Sequence, residues 1–169
     1  MKKALKSSKF LEMYIAELKD IYNAEQQLIK ALPKMEEAAY SEDLKEGYSK
    51  HLEQTYKHIS RLEKVFEILN EEAEGKHCKA MKGLIAEGEE ALNEYSEASY
   101  VRDVALIIAS QKIEHYEISG YGNLIKIAIE LDEMEICNIL NETLNEEIET
   151  DKTLSDLISD TILQEAEEE

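Results

Sequence analysis

The chain has no tryptophan, one proline and six glycines in 169 residues. Loop-rich folds and folds of many short strands need turn residues in quantity, so this scarcity argues against them. Cysteine is nearly absent. Cys78 and Cys137 form no CxxC pair, and they are expected to be reduced thiols in a cytoplasmic protein. No run of about 18 apolar residues exists, so no membrane-spanning helix is expected. The stretch Met1-Lys2-Lys3-Ala4-Leu5-Lys6 has no long apolar segment behind its charges, unlike a signal peptide. Positive charge is also short: 19 basic residues face 38 acidic ones, for a net charge of −19. Such a surface repels phosphate backbones and excludes nucleic acid as an expected direct partner. It attracts cations, Fe²⁺ and Mn²⁺ among them.

What is abundant is Ala, Leu, Ile, Glu and Lys, and all but Ile are strong helix formers. The length fits one domain over 1–169, large enough to bury a core without disulfides. Apolar spacing alternating between three and four predicts four long helices. Helix A covers about Lys9 to Ala39, with Pro33 expected to kink its last turns. Helix B covers about Leu44 to Glu72, opened by an Asp43/Glu46 capping box and closed by Gly75. Helix C follows Asp103, read as its N-cap, to about Leu131. Helix D follows Asp132, with Glu135 completing a second capping box. The acidic tail at about 163–169 is expected to fray. The A–B and C–D connections are short, so each pair is antiparallel. Between B and C lie roughly 30 residues carrying a further helix, about Cys78 to Tyr95. At 1.5 Å per residue that helix spans about 27 Å, enough to return the chain along the bundle and make B and C parallel. The predicted fold is all-α: a four-helix bundle with one long crossover, the ferritin-like arrangement.

Polar residues interrupt the inward stripes. Glu25 on helix A, Thr55 on B, Gln111 and Glu114 on C, and Glu147 and Asp151 on D occupy positions that should be apolar. Counting from the turns puts them within about two helical turns of one height, about 11 Å. No Lys or Arg lies in the same stripes. Carboxylates aimed at a core without cations must be protonated, solvated or neutralised by metal. Glu117 shares the face of Glu114, and His51 and His58 flank Thr55 on helix B. A carboxylate-rich set with one or two imidazoles suits Fe, Mn or Zn, and carboxylates can bridge two ions roughly 3.5–4 Å apart. The candidate ligands are therefore Glu25, His51, His58, Glu114, Glu117, Glu147 and Asp151. Tyr22, Tyr116 and Tyr121 read as core aromatics with hydroxyls on carboxylates, and the two cysteines as small core residues.

At these residues the chain resembles the YciF-like family of ferritin-like bacterial proteins. The resemblance rests on Asp20-Ile21-Tyr22-Asn23-Ala24-Glu25-Gln26-Gln27-Leu28 with Lys30-Ala31-Leu32-Pro33-Lys34-Met35. It continues through His51-Leu52-Glu53-Gln54-Thr55, Arg61-Leu62-Glu63, Cys78-Lys79-Ala80-Met81 and Gly83-Leu84-Ile85. It ends with Glu114-His115-Tyr116-Glu117-Ile118, Tyr121-Gly122, and Thr143-Leu144-Asn145-Glu146-Glu147 before Asp151. It covers nearly the whole chain and implies a ferritin-like bundle, often a homodimer, linked to bacterial stress responses. The wider superfamily binds two irons through Glu, Glu-x-x-His, Glu and Glu-x-x-His. Glu25 resembles the helix-A ligand, and Glu114 with Glu117 resembles the helix-C pair of rubrerythrins. Thr55 stands where a Glu would precede His58 by three, and Thr150 where a His would follow Glu147 by three, so neither Glu-x-x-His is present.

Two functions follow as expectations. One is a metal-binding protein with two Fe or Mn ions in the bundle core, reacting with peroxide or O₂ under stress. The other is a ferritin-like scaffold without metal that acts through its acidic surface or a dimer interface.

Overall fold

A computed structural model describes residues 9–169. The opening residues Met1 to Lys6, read above against the signal-peptide pattern, lie outside that range. Every regular element among the described residues is helical: α1 (Lys9–Ala38), α2 (Glu42–Leu69), α3 (Lys79–Glu94), α4 (Tyr100–Glu130), α5 (Met134–Leu157), a π-helical turn (Ile158–Ile162) and α6 (Leu163–Glu168). Helices A, B, C and D of the sequence are α1, α2, α4 and α5, and α3 is the crossover helix. Around the bundle, α1 packs on α2, α2 on α5, α5 on α4 and α4 on α1, while α3 lies outside against α4 and α1. This is the ferritin-like four-helix bundle with its long crossover. α1 runs through the exposed Pro33 without interruption.

One buried residue shows the direction of the helices. Asp103, in the first turn of α4, accepts from the backbone N–H of Tyr40 (2.8 Å) and of Ser41 (2.7 Å) through its two carboxylate oxygens. The beginnings of α2 and α4 therefore share one end of the bundle, and the two helices are parallel. The 16-residue α3 covers about 24 Å of the return path. α4 is covered on its outer side by α3 as well as on its inner side, so Leu106, Ala109, Ile113 and Leu124 are buried beyond the single stripe read from the sequence.

The helix ends differ from their sequence reading, and each difference has a physical cause. Asp103 does not cap its own helix. Ser99 does, accepting from the Arg102 N–H at 3.2 Å, which frees the Asp103 carboxylate for α2. α2 starts ahead of Asp43, so the expected Asp43/Glu46 box falls inside the helix and is not used: Ser41 is the N-cap of α2 and its side chain makes no capping bond. α2 stops at Asn70, not Gly75. Asn70 is left-handed (φ 54°), and the Asn70 and Glu71 N–H groups return to Glu67 and Phe66 in a Schellman closure. Gly75 is needed further on, where a Cβ would meet Asn23 Cβ at 3.1 Å and Gln26 Oε1 at 3.0 Å as the loop climbs past α1. Asp132 (φ 60°) likewise closes α4, with the Asp132 and Glu133 N–H groups on Ile129 and Ala128. It is consumed by that stop, so the expected Asp132/Glu135 box does not open α5. Glu133 takes the N-cap position and makes no side-chain bond there.

The acidic tail, expected to fray, is helical over most of its length. Past the π-helical turn, which buries Ile162, the chain stays helical to Glu168. The Glu169 side chain then accepts from the backbone N–H of Tyr100 (3.1 Å) and Val101 (3.3 Å). An acidic residue meets the positive end of the α4 dipole there.

Candidate metal centre

Polar side chains from all four bundle helices meet in the core. Glu25 from α1, His51 and His58 from α2, Glu114 and Glu117 from α4, and Glu147 from α5 all point inward, each at most 4% exposed. On α2, His51 and His58 are two turns apart on one face, with Thr55 between them turned onto its own helix at the His51 carbonyl (2.9 Å). On α4, the spacing of three stacks Glu114 and Glu117. Ligand atoms of His51, Glu114, Glu117 and Glu147 lie within 4.8 Å of one another, and so do those of Glu25, His58 and Glu147. Glu147 belongs to both groups.

Nine nitrogen and oxygen atoms of these six side chains are buried without a hydrogen-bond partner. They include both oxygens of Glu117, both of Glu147, and both ring nitrogens of His51. A buried polar atom left unpaired ordinarily costs about 1–3 kcal/mol, so a cluster of them marks a place prepared for something else. The donor set fits a divalent metal pair. Four carboxylates and two imidazoles match two divalent cations in charge, and they match in number the ligands of di-iron bundles built from two Glu and two Glu-x-x-His motifs. What differs is the distribution: here both imidazoles come from one helix, and Glu-x-x-Glu stands on another.

Charge within the site is divided unevenly. Burial pushes the Glu114 carboxyl well above its ordinary value, and the charge of Glu147 beside it adds to the effect. Burial does the same to Glu117, with Glu25, Glu147 and Glu114 adding repulsion. Burial also raises Glu25, against the opposing pull of His58. Burial acts on Glu147 too, but the close approach of His58 and the charges of His51 and His58 outweigh it and hold the group low. His58 is disfavoured as a cation by burial, yet Glu25 and Glu147 push it up to about 10. His51 is lowered by burial and stays neutral, although its Nε2 lies 3.4 Å from Glu114. Without metal, the cluster is a His58–Glu147 ion pair (3.0 Å) surrounded by carboxyls that favour their protonated form.

An outer layer orients His58. Its Nε2 donates to Glu146 Oε2 at 2.9 Å, and its Nδ1 faces Glu25 and Glu147. Glu146 in turn accepts two bonds from Arg61, at 2.6 and 3.0 Å, and the same guanidinium reaches Thr143 (3.2 Å). The Arg61 bonds hold the Glu146 carboxyl down to about 2. Tyr121 donates to Glu25, and its own hydroxyl is pushed well up by burial and then by Glu25. Partners of this kind fix the tautomer and direction of metal-binding imidazoles.

Of the seven residues read from the sequence, the structure gathers six. Asp151 stands apart: it accepts from the Gln111 amide (3.1 Å), is half-buried, and lies 3.4 Å from the exposed His115. Tyr22 and Tyr116 do carry hydroxyls on carboxylates, at Glu63 (3.0 Å) and Asp20 (2.7 Å). Sequence reasoning missed the Arg61–Glu146 pair. Its one signal is an arginine a single turn beyond His58 on a half-buried face. Both cysteines are free thiols, Cys78 buried and Cys137 half-buried. No helix among the described residues is long and apolar enough to cross a membrane.

Comparison with known proteins agrees with this fold. The chain is 41% identical over 157 residues to Protein YciF of Escherichia coli (strain K12), covering 92% of this chain and 94% of that protein. The crystal structure of the E. coli stress protein YciF superposes with a TM-score of 0.86 at 38% identity, over 96% of this chain and 100% of the other. YcfI from Rhodopseudomonas palustris superposes with a TM-score of 0.84 at 42% identity, over 88% of this chain and 94% of its own. A family model described as a domain of unknown function, DUF892, matches residues 9–167, and the chain belongs to that family.

Proposed function

We propose that this protein binds two ions of iron or manganese in the bundle core and reacts there with peroxide or O₂ as part of a stress response. The observation that carries this reading is the set of nine partnerless ligand atoms on four carboxylates and two imidazoles at one height. Glu25, His58 and Glu147 would hold one ion, and His51, Glu114 and Glu117 the other, with Glu147 shared. The metals would supply Lewis acidity and an exchangeable coordination position. The chain's own part is to exclude water, keep His58 turned through Glu146, and release carboxyl and imidazolium protons as the cations arrive. The stress role comes from the relative, since E. coli YciF is described as a stress protein. The proposal extends to one domain over the whole chain, acting as a cytoplasmic homodimer.

A scaffold without metal is the second reading. The His58–Glu147 pair already neutralises part of the cluster, and YcfI is described as a candidate structural protein. Metal analysis by mass spectrometry on protein purified without chelator separates the two. The expected result is about two ions per chain, lost in Glu25→Ala and Glu147→Ala. Less than about a tenth of an ion, even after anaerobic Fe²⁺ loading, would end the metal reading and leave the scaffold.

A further inference from the structure

An apolar groove of about 570 Å³ lies where the end of α3, the start of α4 and α6 come together. Tyr95, Val101, Ala105, Ile108, Leu163 and Ala166 line it, and four of these, Tyr95, Val101, Ile108 and Leu163, are large apolar side chains left exposed. Both banks of the groove are acidic. Residues 83–101 hold five acidic residues and residues 153–169 hold six, with no Lys or Arg in either stretch. Glu94 and Glu97 stand beside Tyr95 in the chain, and Glu165 and Glu167 on either side of Ala166. An apolar floor between banks of one sign suits a partner that presents apolar side chains among positive charges.

One stretch of this chain has that composition. Lys2, Lys3, Lys6 and Lys9 all precede the first acidic residue, Glu12, with Leu5 among them. Phe10 and Met13 follow on one face of α1, and both are exposed. The stretch cannot reach the groove of its own copy. The Asp103 bonds to Tyr40 and Ser41 set the start of α4 beside the end of α1. The 30 residues of α1 therefore put Lys9 about 45 Å away, at the other end of the bundle. Ile108, a turn and a half further along α4 than Asp103, shortens that by only about 8 Å. Fully extended, the chain from Lys9 back to Lys2 spans at most about 25 Å. We propose that the groove receives the lysine-rich start of a second copy of this chain, residues 2–13. Phe10 and Met13 supply its apolar contacts, and the lysines meet Glu94, Glu97, Glu165 and Glu167. The inference rests on the homodimer in the reading above and says which surfaces hold it together; the metal centre takes no part.

The test uses the full-length chain, with light scattering for the oligomeric state and circular dichroism for helicity. Normal and ¹⁵N-labelled protein are equilibrated together and treated with a carbodiimide, which joins a lysine directly to a touching carboxylate. Mass spectrometry is expected to find links of mixed isotope, hence between copies, from Lys2, Lys3, Lys6 or Lys9 to Glu94, Glu97, Glu165 or Glu167. Lys2→Glu, Lys3→Glu and Lys6→Glu combined turn that attraction into repulsion. The dimer Kd is expected to rise about tenfold or more in 150 mM salt, with helicity unchanged. Adding Glu94→Lys and Glu167→Lys to the same chain restores the opposite signs, and the Kd is expected to return to within about threefold of native. Ile108→Ser, at an exposed side chain, is expected to weaken the dimer through the groove floor alone. A triple lysine variant that dimerises like the native chain overturns the inference whatever Ile108→Ser does, and so do links between copies that all fall elsewhere; a homodimer held by another surface would then stand. A native chain that is monomeric at about 100 μM overturns the homodimer and the groove contact together.

Discussion

Glu117 shows most plainly what this core tolerates. It is fully buried, neither carboxylate oxygen has a hydrogen-bond partner, and burial plus three neighbouring carboxylates raise it well above its ordinary value. A carboxyl raised in the fold ionises more easily when unfolded, so it weakens the fold at any pH above the ordinary carboxylate range. Glu117→Gln removes that charge with little change of shape. In metal-free protein at pH 8 the variant is expected to melt higher, by about 2–4 °C for each kcal/mol relieved in a chain of this size. The same variant is expected to bind less metal. A lower melting point in the metal-free state would mean that Glu117 is held by a bond the structure does not contain. Arg61 and Glu146 are the counterpart at this scale, two charged groups whose bonds are satisfied and whose effect is to aim a third residue, His58.

Among the helices, the bond from α4 to the start of α2 joins the two halves of the bundle. The Asp103 carboxylate takes the N–H groups of Tyr40 and Ser41 and is itself buried, so one residue both caps a helix and sets the height of one hairpin against the other. Asp103→Ala leaves both donors without that partner. The expected loss is about 2 kcal/mol, at the upper end for a capping residue, read as a lower urea midpoint with an unchanged slope. Asp103→Asn keeps one acceptor and is expected to recover roughly half of it. A midpoint equal to that of the native chain in Asp103→Ala would show that the hairpins are held by apolar packing alone. The sequence places this residue at the start of a helix correctly, and names the wrong helix. Capping propensity is local, whereas the donors it meets are chosen by the docking of two hairpins far apart in the chain.

For the molecule as a whole, the site dictates how stability responds to pH. Glu25, Glu114 and Glu117 are raised, so the folded metal-free chain holds protons that the unfolded chain has lost, and stability falls as pH climbs past the ordinary carboxylate value. His58, raised to about 10, contributes stability that is complete below its unfolded value of 6.5 and is lost as pH rises through 10. Glu146, held down to about 2, acts only in acid: its contribution is present above 4.5 and fades as pH falls through 2. The metal-free melting point is therefore expected to decline steadily from pH 5 to pH 9 in 150 mM salt, which screens the surface charge of −19. Metal binding must displace these protons, so the rise in melting point on adding Mn²⁺ is expected to be larger at pH 8 than at pH 5.5. A melting point that is flat across this range, with and without Mn²⁺, would contradict the proton assignment.

The sequence by itself determined the helices, the crossover topology and the inward placement of Glu25, His51, His58, Glu114 and Glu147, because apolar periodicity and the residues that break it are local properties of each helix. Glu25, Glu114 and Glu147 were legible as acids in apolar stripes, and His51 and His58 as neighbours on one face. Only the tertiary structure decided that Asp151 turns to Gln111 instead, that Glu117 is core and not flank, and that Arg61 and Glu146 steer His58. It also decided that the acidic tail docks on α4. Those choices depend on how far each helix is rotated and how high it stands against its neighbours. At that scale an error of one residue, about 100° around a helix, exchanges a core group for a surface group.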